Sequence, residues 1–440
     1  MAHTRRDFLV SLAALAMAGS GRGELPGGPL IAIPSALLLP RPKGQRVVVV
    51  GGGWGGLSCA RQLRRLAPDL DVVLLERSPA FWSCPLSNKW LAGLVDTRLL
   101  VHEYAAAARA YGYTFVQTEV RAIDRDRRIV VTDGGTVDYD WLVLAVGIRQ
   151  DYDAWFGNDR SAIDYARSHF PSAWQSGSEA AVLKRKVERF AGGDFLMNVP
   201  PMPYRCPPAP YERASLIAWL LKSRKIKGRL IVLDPNPVSP TFRRVFTERY
   251  KDWIVYVPDA RVTAVDPFNR KVSTEFDEYR FDEAILMPPQ QAGELVWQAG
   301  LIGRDSDGRP TGWAAQDPMR FNANADERVF LVGDALGPVS PLFGHYPKSG
   351  HAASRQGRIA AGVIAARAKG AELPRDLPES VCFVFPDFEP QEMIRIESRY
   401  RVRGDGLIEQ ATKQLLDPNP RGEDLQWATS MFANFLDYKG

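Results

Sequence analysis

The glycine run Gly51-Gly52-Gly53-Trp54-Gly55-Gly56 is the first place in this chain where residue type and spacing suggest chemistry. It follows the β-branched run Arg46-Val47-Val48-Val49-Val50 and precedes Leu57 to Leu63, which has helical spacing. The run fits G-x-G-x-x-G, in which Gly51 makes the tight turn, Gly53 lets the backbone approach a pyrophosphate, and Gly56 allows helix and strand to pack closely. The phosphate then sits on a helix N-terminus. Alone the match is weak, because glycine turns between strand and helix are common. Context strengthens it: Asp71-Val72-Val73-Leu74-Leu75-Glu76 reads as a second strand ending in an acid about twenty residues past Gly56, where the Glu76 carboxylate can accept a hydrogen bond from a ribose hydroxyl. Strand, loop, helix, strand and acid in this order predict a dinucleotide-binding βαβ unit.

Three later segments extend the pattern to an FAD domain. Trp141-Leu142-Val143-Leu144-Ala145-Val146-Gly147 reads as a strand ending in a small-residue turn. Arg328-Val329-Phe330-Leu331-Val332-Gly333-Asp334-Ala335 reads as another, and it resembles the second flavin fingerprint, whose Asp holds the ribitol chain. Lys348-Ser349-Gly350 precedes an Ala-rich helix from Gly350 to Ala368, whose positive end would face the flavin pyrimidine edge, where negative charge collects on reduction. The expected cofactor-binding residues are therefore Gly51, Gly53, Gly56, Glu76, Gly147, Gly333, Asp334, Lys348 and Ser349, with Val120 counted among them.

A second βαβ unit follows in the middle of the chain, with strands at Ala191 to Pro200 and Arg229 to Asp234 around a helical stretch from Tyr211 to Ser223. Its connecting loop, Pro200 to Pro210, holds six prolines and no glycine. Prolines remove backbone N–H donors and forbid the φ values of a phosphate cradle, so no NAD(P) is expected there. Cys206 stands in that loop, either as an incidental thiol in a stiff turn or as a reactive group.

The elements that must position these residues fit a chain of 440 residues with 45% hydrophobic and 24% charged residues, too long for one core. The expected fold is α/β: an FAD domain from 45–148 and 310–370, a degenerate NAD-type Rossmann-like domain over 150–309, and a C-terminal α+β interface domain over 371–440. A net charge of +5 without a long basic run excludes a nucleic-acid track. Arg5-Arg6 ahead of the apolar stretch Phe8 to Ala18 reads as a twin-arginine export signal, residues 1–26, and Pro29 to Pro40 as an arm lying on the body. No window resembles a transmembrane helix. The histidines match no zinc spacing, so no metal is assigned, and no C-x-x-C-H occurs, so any haem belongs to a partner chain. His345 and His351 could act as a general base or be structurally bonded.

At Phe81-Trp82-Ser83-Cys84-Pro85-Leu86-Ser87-Asn88, at Tyr204-Arg205-Cys206-Pro207-Pro208-Ala209-Pro210-Tyr211-Glu212-Arg213-Ala214, at Gly333-Asp334-Ala335, at Pro347-Lys348-Ser349-Gly350 and at the aromatic segment Trp427 to Tyr438, the chain resembles the flavoprotein subunit of flavocytochrome c sulfide dehydrogenase. That family is related to sulfide:quinone oxidoreductases. From residue type alone Cys84 is a loop thiol or half of a disulfide; the resemblance implies a thioether from Cys84 to FAD. It also implies that Cys206 is catalytic, as one member of a redox disulfide whose partner is expected directly after Gly-Asp-Ala, where this chain has Leu336. Cys59 falls in the first helix and Cys382 in an apolar strand, where an inert buried thiol is expected. The implied function is an exported, periplasmic FAD-dependent oxidoreductase that takes electrons from sulfide or another small donor and passes them to a c-type cytochrome subunit. A quinone-reducing relative and a flavin-binding electron-transfer or assembly partner without turnover are the alternatives.

Overall fold

The computed structural model describes residues 37, 39–42, 44–174 and 177–438. The expected export signal, and most of the arm before Leu37, lie outside the described residues. Leu37 donates its amide to Thr136 O at 2.8 Å, and Leu37 and Leu39 pack on the first core.

The first sheet forms because Val47 to Val50 are buried on both faces, as parallel strands between helix layers require. Its strands in chain order are β1 (Arg46–Val50), β2 (Asp71–Glu76), β3 (Thr114–Gln117) and β4 (Trp141–Leu144), with α1 (Trp54–Leu66) between β1 and β2. The second unit comprises β5 (Gly193–Asn198), α2 (Ala209–Ser223), β6 (Gly228–Asp234), β7 (Ile254–Pro258) and β8 (Glu283–Ile285). Then come β9 (Asn322–Ala323), β10 (Asp326–Leu331), α3 (Gly350–Lys369), β11 (Ser380–Phe388), β12 (Gln391–Val402), β13 (Ile408–Asp417) and α4 (Glu423–Ala433).

Sheet one has the order β9-β10-β4-β1-β2-β3, parallel except at β9. Its register is fixed where the buried Arg46 guanidinium meets Asp71 at 2.6 Å and Asp138 at 2.9 Å. Strand order reverses between β1 and β4, so the crevice lies outside their carboxyl ends, at Gly51 and Gly147. Sheet two, β7-β6-β5-β8, is wholly parallel. The β11-β12-β13 sheet is antiparallel.

Two contacts tie distant segments to the glycine loop. Helices α1 and α3 touch backbone to backbone: a Cβ at Gly357 would lie 2.2 Å from Gly55 O. Ser58 and Ser354 share a hydrogen bond at 2.8 Å across the same crossing. The C-terminal apolar pattern partly differs from expectation: Ala428, Phe432, Phe435 and Leu436 are buried, whereas Leu425 is 40% exposed and belongs to the outer face of α4.

Candidate functional site

The glycine loop is built to approach a ligand. Gly51 takes φ +100°, and a Cβ there would meet Ala145 O at 2.5 Å. A Cβ on Gly56 would sit 1.9 Å from Gly51 O, so only glycine permits this strand–helix approach. Gly53 has open space around its missing Cβ and precedes the first turn of α1, whose amides point outward. Glu76 closes the loop from β2, accepting the Gly52 amide at 2.8 Å and the Ser78 amide at 2.9 Å. It thus positions the loop while retaining lone pairs for a hydroxyl donor. Val120, half-buried and paired with Thr132 in a small antiparallel sheet, lies two residues after Thr118, whose amide donates to Glu76 O at 3.0 Å.

A second corner gathers residues from five segments. Asp334, in a 3₁₀ turn after β10 that Gly333 enters at φ +83°, receives the Arg205 Nε at 2.6 Å. Its other oxygen, Oδ1, is buried with no partner among the described residues. An orphaned carboxylate oxygen costs free energy unless a donor reaches it, which fits the hydroxyl of a ribitol chain. Arg205 Nη1 also bonds Trp174 O at 2.5 Å, and the Cys84 thiol lies 3.8 Å from the same carbonyl. Burial raises the Cys84 thiol above its usual value, and the Arg205 charge opposes that rise. Gly147 must be glycine here, at φ +65°, because a Cβ would press on Arg205 Nη2 at 2.8 Å. The glycine cradle, the orphaned Asp334 oxygen and a thiol in the same corner together fit FAD.

Lys348 and Ser349 each bond groups of the protein itself. The Lys348 amine, buried and 3.5 Å over the Trp313 ring, donates to the carbonyls of Asp334 and Leu336 at 2.8 Å each. Burial brings its pKa down to about 7, against the pull of Asp334. Ser349 caps α3, accepting the Ala352 amide at 3.3 Å. His345 packs against Trp313, and burial with the Lys348 charge lowers it to about 4.

Cys206 follows β5 in the proline loop at φ +53°, a left-handed conformation that costs energy for any residue but glycine and concentrates at functional sites. Its amide donates to Lys348 O at 2.7 Å. A cavity of about 390 Å³ opens beside it, bounded by Tyr204, Phe242 and Ile394 and, from β11, by Cys382. β11 lays Cys382 in the lining of the same cavity as Cys206, still as a buried thiol. Burial pushes Cys206 well above its usual pKa, with Cys382 and then Glu212 adding to the rise; burial pushes Cys382 up to about 12, with Glu212 adding to it. Cys206 and Cys382 both line this cavity, while Leu336 is buried in the first core and its carbonyl accepts from Lys348. Cys59 is fully buried within α1, away from this cavity.

Glu212, missed as a functional residue by the sequence reading, joins the parts. From the first turn of α2 it accepts the Asn88 side chain at 2.7 Å and the Phe385 amide at 2.9 Å, so it touches both the Cys84 segment and the Cys382 strand. Burial raises its pKa. Arg213 beside it is fully buried, donating to Asn88 at 3.0 Å and to Ser172 O at 2.6 Å while stacking over Trp174. In the sequence Glu212 and Arg213 stood only within the Tyr204 to Ala214 stretch that carries the family resemblance, with no role attached to either.

Where the second unit would hold a nucleotide, the ends of β5 and β6 border the cavity beside Cys206, with Tyr204 and Asn236 in its lining. Asp234, the acid ending β6, is occupied by the Asn236 amide at 2.9 Å and the Tyr256 hydroxyl at 2.9 Å. Tyr204 is 1% exposed, its hydroxyl on Pro207 O at 2.9 Å.

Comparison with known proteins agrees with this geometry. Residues 180–288 match the model of the sulfide dehydrogenase (flavocytochrome c) flavoprotein chain, central, and residues 45–159 match that of the pyridine nucleotide-disulphide oxidoreductases. A sulfide-quinone reductase of Aquifex aeolicus (strain VF5) is 25% identical over 329 residues, 70% of this chain and 73% of that protein. The sulfide dehydrogenase (flavocytochrome c) flavoprotein chain of Chlorobaculum thiosulfatiphilum is 57% identical over 44 residues, 10% of this chain and 92% of that relative. The solved sulfide:quinone oxidoreductase from Aquifex aeolicus covers 89% of this chain and 90% of its own, with TM-score 0.68 and 20% identity, a likeness of fold. The chain therefore belongs to the FAD-dependent pyridine nucleotide-disulphide oxidoreductase family, with a sulfide dehydrogenase flavoprotein central domain as its second unit.

Proposed function

We propose that this chain is the flavoprotein of an exported sulfide dehydrogenase, oxidising sulfide at a Cys206–Cys382 pair and passing electrons to a c-type cytochrome subunit. The observation that carries the reading is one cavity holding both thiols, next to the corner of Cys84, Arg205 and Asp334. The glycine loop with Glu76 would hold the nucleotide end of FAD, Asp334 the ribitol, and Cys84 a thioether to the ring. FAD supplies a two-electron acceptor that can release electrons singly. Beginning from a Cys206–Cys382 disulfide, hydrosulfide attacks the Cys206 sulfur, the S–S bond breaks, and Cys382 leaves as thiolate. Cys206 then carries the former sulfide sulfur as a persulfide, and Glu212, buried beside both, can supply the proton for Cys382. A second thiol or hydrosulfide that takes up the outer sulfur frees Cys206, leaving a dithiol two electrons richer than at the start.

The six prolines and missing glycine of the loop after β5 support a donor other than NAD(P)H. Arg5-Arg6 before an apolar stretch supports export to the periplasm. A quinone acceptor is the second reading, favoured by the likeness to a sulfide-quinone reductase over 70% of the chain.

Anaerobic titration of the purified holoprotein with sulfide, following flavin absorbance, tests the proposal. Sulfide should bleach the flavin, Cys206→Ser and Cys382→Ser should each slow bleaching at least ~100-fold, and NADH should leave it oxidised. Wild-type bleaching rates in both variants would refute the thiol pair. Mass spectrometry showing unmodified Cys84 in the holoprotein would refute the thioether, and faster turnover with quinones than with cytochrome c would favour the second reading.

A further inference from the structure

Lys348, Ser349 and the first turn of α3 together reach both thiol-bearing segments. The Lys348 carbonyl accepts the Cys206 amide at 2.7 Å. Ser349 Oγ lies 3.2 Å from Ser380 Oγ, and His351 Nδ1 accepts the amide of Val381, the neighbour of Cys382, at 2.9 Å. A backbone amide only donates, so the imidazole is neutral, with its proton on Nε2. His351 is 4% exposed, and burial with the Arg355 and Arg358 charges lowers its pKa to about 4, so it stays an acceptor near neutral pH. These contacts come from four consecutive residues, Lys348 to His351, that lead through the Ser349 cap into α3, so one short segment locates Cys206 on one side and Cys382 on the other. Without the bracket, the strained φ of Cys206 and the first residues of β11 could relax independently.

We propose that the start of α3, chiefly His351 through the Val381 amide, is a positioning device that sets how closely Cys382 meets Cys206 and hence the balance between dithiol and disulfide. This rests on the reading that the two thiols form the redox pair. His351 also touches Trp427, with ring centroids 6.1 Å apart, so a purely packing role must be separable from the hydrogen bond.

The full-length holoprotein is equilibrated in buffers of reduced and oxidised glutathione, in which two protein thiols are oxidised to one disulfide as oxidised glutathione is reduced to two thiols. The Cys206–Cys382 linked peptide is then quantified by mass spectrometry. His351→Leu should shift the exchange equilibrium towards dithiol by about tenfold or more, while His351→Asn, which keeps an acceptor, should stay within about threefold of wild type. Trp427→Leu, which removes packing but not the acceptor, should leave the equilibrium unchanged. Should His351→Leu not fold, Ser380→Ala, which removes the other tether, should move the equilibrium the same way by about threefold. An unmoved equilibrium in His351→Leu, or in Ser380→Ala, overturns the bracket, as does an equal shift in His351→Asn or in Trp427→Leu. Absence of the linked peptide from oxidised wild type would instead overturn the thiol-pair reading itself.

Discussion

Cys382 sets a measurable signature at the scale of single residues. Burial raises its pKa to about 12, against about 8.5 for a free thiol, so at about pH 8 about one part in ten thousand is thiolate where an ordinary cysteine would have about a quarter. The sign follows from linkage: the fold favours the neutral thiol, so this stabilisation is full below about pH 8.5 and is lost as pH rises towards 12. Iodoacetamide labelling of Cys382 in the reduced holoprotein should therefore accelerate about tenfold per pH unit between about pH 8 and 11. Labelling that levels off near pH 9 would show an unperturbed thiol. Cys206 was legible in the sequence because it stood where glycines would cradle phosphate. Cys382 was not, because Val381 and Phe383 beside it are apolar and residue type records burial but not which cavity a strand crosses. The Asp334 and Gly147 expectations gained a reason from Arg205, whose guanidinium both residues accommodate.

Elements were legible in proportion to their hydrophobic periodicity. The first βαβ unit has buried valines, a glycine turn and a terminal acid, and the structure places each in the expected element. The hairpin β12–β13 was half legible: Met393 to Glu397 alternates, but β13 buries only Ile408 and exposes much of the rest, so no face shows in its sequence. The helix crossing of α1 and α3 had a clear sign at one partner only, since Gly357 lies in an Ala-rich stretch where a glycine draws no attention. Its role follows from distance. A Cβ at Gly357 would stand 2.2 Å from Gly55 O and 3.2 Å from the Cys59 amide nitrogen, both backbone, so nothing flexible can yield. Gly357→Ala should therefore destabilise the holoprotein by about 1–3 kcal/mol despite alanine's better helix propensity. Urea unfolding followed by far-UV circular dichroism measures this, and an unchanged or raised midpoint would show that the helices can part without cost.

For the whole molecule, the end of the chain closes over its first nucleotide-binding loop. Trp54, inside the glycine run, stacks on Trp427 at 6.2 Å and meets Phe435 edge-on at 5.1 Å, and Phe435 also meets Phe81 at 5.9 Å, three residues before Cys84. Phe435 is fully buried, so the loop, the segment bearing Cys84 and the C-terminal tail share one aromatic cluster. The same C-terminal region carries Cys382, so both the tail on the glycine loop and one wall of the Cys206 cavity arrive after both nucleotide-type units are complete. Truncation of this ring leaves a cavity that the surrounding rings cannot collapse into without moving Trp54. Phe435→Ala should thus cost about 3–5 kcal/mol and lower the thermal midpoint. Because its loss falls at the glycine loop, flavin emission should rise before global unfolding while a Cys84 thioether keeps the flavin on the chain. Flavin fluorescence and far-UV circular dichroism recorded through one thermal ramp distinguish the cases. If the two signals change together, the tail stabilises the fold as a whole; an earlier flavin transition shows that it holds the nucleotide loop closed.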